Sequence, residues 1–150
     1  LPKTALASDF KTGEVYYDDT PEELPYDLEA PIVEIRPEDY AIWYQDLSEE
    51  GDKYKGKTVR VGGSVKLGER LPKGSFIFGR PVMTCCVEDI QFMGFVCQYD
   101  GAQDLAQRSW ITVTAKISLR YHKLYKEMGP VLTAISIEPA EKPEQDVVTF

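Results

Sequence analysis

Cys85 and Cys86 are adjacent, and Asp89 follows three residues later. Two thiolates and a carboxylate within five residues are the soft and hard donors that zinc, or another soft metal, accepts in a tetrahedral site. A closed structural zinc site needs four such donors, and the usual Cys-x-x-Cys spacing is absent. The pair is therefore read as Cys85, Cys86 and Asp89 holding a metal, as thiols doing redox work, or as packing residues of a turn. Side chains alternate across a strand, which predicts one thiol facing inward and the other outward. A bond between neighbouring cysteines needs a distorted ring, so two free thiols are the default. The third cysteine, Cys97, can reach either one only if residues 82–98 form a hairpin. Arg80 precedes the pair, and its expected role is an ion pair with Glu88 or Asp89 that shapes the turn. His122 is the single histidine. It is expected in a loop between the last two strands, as a surface residue or a distant fourth ligand. One loop histidine builds no Ser-His-Asp or Cys-His set, and no phosphate loop, Gly-x-Ser-x-Gly or His-Glu-x-x-His occurs. The chain is read as non-enzymatic.

The elements that must position these residues are mainly strands. Val59, Val61, Val65 and Leu67 alternate with Arg60, Ser64 and Lys66, a half-buried strand over 57–67 with Gly62-Gly63 allowing a bulge or bend. Residues 75–86 form a second strand, kinked at Pro81, and 91–99 a third. A short helix is expected at 102–107. Ile111, Val113, Ala115, Ile117 and Leu119 mark a fourth strand over 110–119. Val131, Thr133, Ile135 and Ile137 mark a fifth over 130–138. Three strands, a short helix and two strands follow the order of an OB-fold, a five-stranded Greek-key barrel. A β-sandwich is the competing architecture.

Ahead of the barrel, Pro37 opens a predicted helix over 37–50, where its missing N–H is harmless. Tyr40, Trp43, Tyr44 and Leu47 make one apolar stripe at helical spacing. Residues 31–35 suggest a short strand and Glu14–Tyr17 another. Residues 1–30 are read as an acidic extended arm, 31–143 as the barrel with its helix, and 144–150 as a tail.

Charge divides the chain. Residues 1–52 carry 15 acidic and 3 basic side chains, and residues 53–150 carry 10 and 14, against a net charge of −8. Lys53, Lys55, Lys57, Arg60, Lys66, Arg70 and Lys73 form a basic run. With Phe76, Phe78, Phe92 and Phe95 as stacking rings, that run supports an alternative reading as a nucleic-acid-binding module. Hydrophobic content of 43% suffices for a folded core. Three cysteines exclude a disulfide-rich scaffold. No apolar run is long enough to span a membrane. A first residue of Leu1 rather than Met implies a processed or trimmed chain.

Three stretches together carry a family resemblance. They are Lys55-Gly56-Lys57-Thr58-Val59-Arg60-Val61-Gly62-Gly63, then Arg80-Pro81-Val82-Met83-Thr84-Cys85-Cys86-Val87-Glu88-Asp89, and Trp110-Ile111-Thr112-Val113-Thr114. The most specific part is Arg-x-x-Met-Thr-Cys-Cys-x-x-Asp. The series resembles the soluble C-terminal domain of a bacterial family of two-component permease subunits, over about residues 31–143. The resemblance implies a membrane anchor ahead of residue 1, a separate permease as partner, and a non-catalytic accessory role in transport. The acidic arm disfavours the side of the membrane where basic loops collect, and so points to the extracytoplasmic face.

Overall fold

A computed structural model describes residues 23–150. The candidate strand at Glu14–Tyr17 and most of the acidic arm lie outside the described residues. Over the rest, the fold is mainly β with one short α-helix. The strands are β1 (Val33–Ile35), β2 (Thr58–Lys66), β3 (Ser75–Met83), β4 (Gln91–Gln98), β5 (Trp110–His122), β6 (Glu127–Pro139) and β7 (Val148–Thr149); α1 spans Tyr40–Glu49. The helix expected at 102–107 is a single 3-10 turn, Ala102–Asp104.

Five strands close on themselves. Antiparallel pairing joins β2 to β5, β5 to β6, β4 to β3, and β3 back to β2, while β6 and β4 pair in parallel. β2 makes the closure possible. It pairs with β5 over Thr58–Ser64 and with β3 over Ser64–Lys66, so Ser64 faces both neighbours. Gly62-Gly63 lies at that exchange, paired in unbroken register with Thr112 and Ile111, so no bulge occurs there. A Cβ on Gly63 would sit 2.8 Å from the Phe78 ring and 2.9 Å from the Gly79 carbonyl. The short β1 adds to β2 in parallel, and β7 adds to the end of β3 through Val82 and Met83.

The bulge occurs elsewhere. Pairing of β5 with β6 shifts between Thr114 and Ala115, so that Thr114 faces Ser136 and Ala115 faces Ala134. Ile135 is left over on β6 and turns outward, 64% exposed. The expected alternation from Val131 to Ile137 is therefore interrupted, as an extra residue in one strand must interrupt it.

Val33, Val59, Val65, Phe76, Phe78, Ile111, Val113, Ile117 and Leu132 fill the core. Helix α1 packs on that core through Tyr40, Trp43 and Leu47, all fully buried. Trp43 meets the Phe95 ring edge-on at 5.5 Å, and the Tyr40 hydroxyl donates to the Met93 carbonyl at 2.7 Å. The stripe predicted from spacing is thus a packing face.

Candidate functional site

β3 ends at Met83, earlier than the predicted 86, and the cysteines fall in the turn beyond it. Both thiols are exposed, correcting the expectation of one in and one out: alternation holds only while the strand lasts. Cys97 lies in β4, fully buried, and all three thiols are free. The turn is built around Asp89. Its carboxylate accepts backbone N–H groups of Thr84 at 2.8 Å, Cys85 at 3.0 Å and Cys86 at 3.2 Å. In return the Cys86 side chain accepts the Asp89 N–H, a reciprocal cap on the 3-10 turn Val87–Asp89. These donors hold the Asp89 carboxyl below the usual carboxylate range. Hydrogen bonds to Cys86 and then Asp89 push the Cys85 thiol up to about 11, so it is protonated at neutral pH.

One ligand atom from each of Cys85, Cys86 and Asp89 lies within 4.8 Å of the other two. Donors on a tetrahedral zinc with bonds of about 2.3 Å are about 3.8 Å apart, so a small closure of the turn suffices. Three backbone bonds leave the carboxylate roughly one of its four lone-pair positions. His122 does not join this group among the described residues. It ends β5 and is only 9% exposed, not a surface residue, and its Nδ1 accepts the Leu124 N–H at 3.1 Å.

Arg80 does not pair with Glu88 or Asp89. It points inward from β3, 2% exposed, between the rings of Trp110 at 5.2 Å and Tyr40 at 6.0 Å. Its guanidinium donates to the carbonyls of Gln145 and Asp146, each at 3.2 Å, and its Nε has no partner. The residue clamps the C-terminal segment that supplies β7, which neighbouring charges in the sequence do not reveal.

Most of the proposed base-stacking surface is unavailable. Phe76, Phe78 and Phe95 are core residues, and only Phe92 is partly open. Three of the basic residues carry carboxylate partners: Lys53 with Asp46, Lys57 with Glu29, and Arg60 with Glu34.

Sequence reasoning missed a second site. Beside Trp110 lies a cleft of about 330 Å³ lined by Lys66, Phe92, Arg108, Trp110, Lys142 and Asp146 among others. These residues come from β2, β4, the start of β5 and the loop before it, and the C-terminal segment, and no local pattern joins them. A second cleft, of about 530 Å³, separates the end of α1 from the β5–β6 hairpin and carries Glu49, Glu50, Asp52 and Glu127.

No helix among the described residues is long and apolar enough to cross a membrane. No curated protein matches the chain. Aspartyl tRNA synthetase from Entamoeba histolytica is a structural neighbour at 13% identity and a TM-score of 0.39, over 95% of this chain and 29% of that one. The chain thus spans less than a third of that enzyme, and a likeness this weak bears on neither fold nor function. The informative match covers residues 10–148, and by it the chain belongs to the family described as the DUF1980 C-terminal domain.

Proposed function

We propose that this domain is a non-catalytic, membrane-anchored accessory domain of a permease system, and that Cys85, Cys86 and Asp89 take up a soft metal ion in transit. The observation that carries the reading is the gathering of three donor atoms within 4.8 Å on an exposed turn. A structural zinc site is closed by four protein ligands and buried in what it stabilises. Two exposed thiols and a half-buried carboxylate leave one position for a ligand from a partner, which suits acceptance and release. The OB-like reading of the five-strand ring supplies a rigid base for the turn. The resemblance to two-component permease subunits supplies the partner, and the acidic arm favours the extracytoplasmic face.

Thiol redox work is the weaker reading. The attacking species is the thiolate, and a Cys85 thiol raised to about 11 is almost wholly protonated at neutral pH.

Zinc titration against a chromophoric chelator tests the proposal. The wild-type chain is expected to bind one equivalent and to gain thermal stability, about 2.7 kcal/mol at 100 times its dissociation constant. Cys86→Ser should abolish both effects without unfolding the metal-free protein. Zinc binding that survives Cys85→Ser with Cys86→Ser, or its absence from the wild type, defeats the proposal.

A further inference from the structure

The cleft beside Trp110 joins a positive field to flat apolar walls. Lys66, Arg108 and Lys142 line it against a single carboxylate, Asp146, which already sits 3.6 Å from Lys142. Among the described residues, Lys66 and Arg108 have no carboxylate partner. The Lys66 ammonium instead lies over the Phe92 ring at 5.5 Å. Arg80 adds a fourth cation behind the Trp110 ring, buried, with carbonyl partners only and with its Nε unpartnered. On a chain of net charge −8 this is a local reversal of sign, and low-dielectric walls focus such a field into the cleft.

The loop that presents Arg108 is pinned. Arg108 occupies the left-handed region at φ 67°, unusual for a residue with a side chain. Its N–H donates to the Val65 carbonyl at 2.8 Å, and the Val65 N–H donates to the Ser109 carbonyl at 3.0 Å. The Gln107 amide grips the backbone of Leu67 from both sides, at 2.5 and 3.3 Å. Backbone strain of this kind persists where the surroundings over-determine it, and it concentrates at ligand sites.

We propose that this cleft binds a small organic anion, a phosphate or carboxylate carried on a flat ring. Lys66 and Arg108 take the charge, and Trp110 and Phe92 take the ring. The volume of about 330 Å³ stands near the lower end of ligand pockets, which run from about 300 to 1,000 Å³, and suits one ring with one anionic group. The site is independent of the thiol turn and of any metal there.

Calorimetry with adenosine 5′-monophosphate, 4-aminobenzoate, adenosine and inorganic phosphate tests the assignment, with indole fluorescence as a second readout. Of the two tryptophans, Trp43 is buried in the core, so a ligand-dependent change reports Trp110. At least one ring-bearing anion should bind about tenfold more tightly than adenosine or phosphate alone, and should alter the fluorescence. Lys66→Gln and Arg108→Asn should each weaken it about tenfold with an unchanged melting temperature, since asparagine tolerates the left-handed region. Failure of both ring-bearing anions to saturate, or variants that bind as the wild type does, overturns the proposal. A thymidine decanucleotide binding far more tightly than thymidine monophosphate, with affinity falling steeply in salt, would overturn it in favour of a nucleic-acid surface.

Discussion

At the scale of single residues, the three thiols separate by environment. Cys97 is fully buried, and desolvation pushes its thiol up to about 12; Cys85 and Cys86 are exposed. A thiol reagent applied to the native chain should therefore modify two cysteines, and the third only on unfolding. Three fast thiols would place Cys97 outside the core. Metal binding should carry a pH signature from the same turn. A thiol must lose its proton to ligate, so each proton released makes affinity rise about tenfold per pH unit. Because the Cys85 thiol is raised, that rise should continue through neutral pH toward about 11. The Asp89 carboxyl is shifted downward instead, and it too acts in its deprotonated form. Its folded value is depressed, so its support of the turn is complete above the ordinary carboxylate range and fades as pH falls through the lowered value. Zinc affinity that is flat between pH 6 and about 8 would remove the thiolates from the site.

At the scale of elements, two features set the geometry. Gly79 and Gly94 face each other across β3 and β4, and their backbones nearly touch. A Cβ on Gly94 would lie 2.2 Å from the Phe78 carbonyl oxygen and 2.7 Å from its carbon, both backbone atoms that cannot step aside. Gly94→Ala should therefore cost about 3 kcal/mol through forced strand separation. Trp43→Ala should cost about 3 to 5 kcal/mol, because the indole is buried against Tyr40 and Phe95. Denaturant unfolding measures both, and a loss below about 1 kcal/mol in either would contradict the packing described. These elements also mark what is legible in sequence. Helix α1 and most of the strands follow from period, since Trp43 and Val113 are buried where spacing puts them. The outward turn of Ile135 follows from a bulge across a partner strand, which no one-dimensional pattern contains. The thiol turn is local and could be read directly, though not its exposure, which depends on where β3 stops. Arg80 reaches a carbonyl 66 positions away at Asp146, and the Trp110 cleft joins Lys66 to Asp146 from distant parts of the chain.

At the scale of the whole molecule, opposite charges occupy separate clefts. Glu49, Glu50, Asp52 and Glu127 border the one at the end of α1, while Lys66, Arg108 and Lys142 border the one beside Trp110. The proposed function depends on which side of a membrane these faces meet. The structure contains its own reporter of that side. Cys85 and Cys86 are open to reagents and Cys97 is closed to them. In intact cells expressing the native gene, a membrane-impermeant maleimide should modify the pair at Cys85 and Cys86 if the domain faces outward as proposed. Cys85→Ser with Cys86→Ser should abolish the signal, which ties it to this turn rather than to another protein. Pre-incubation with zinc should protect the wild type, because a thiolate held by metal attacks poorly. Modification that appears only after the membrane is permeabilised would place the domain inside. The acidic arm would then lose its meaning as a topology signal, and delivery of metal from the outer face would have to be abandoned.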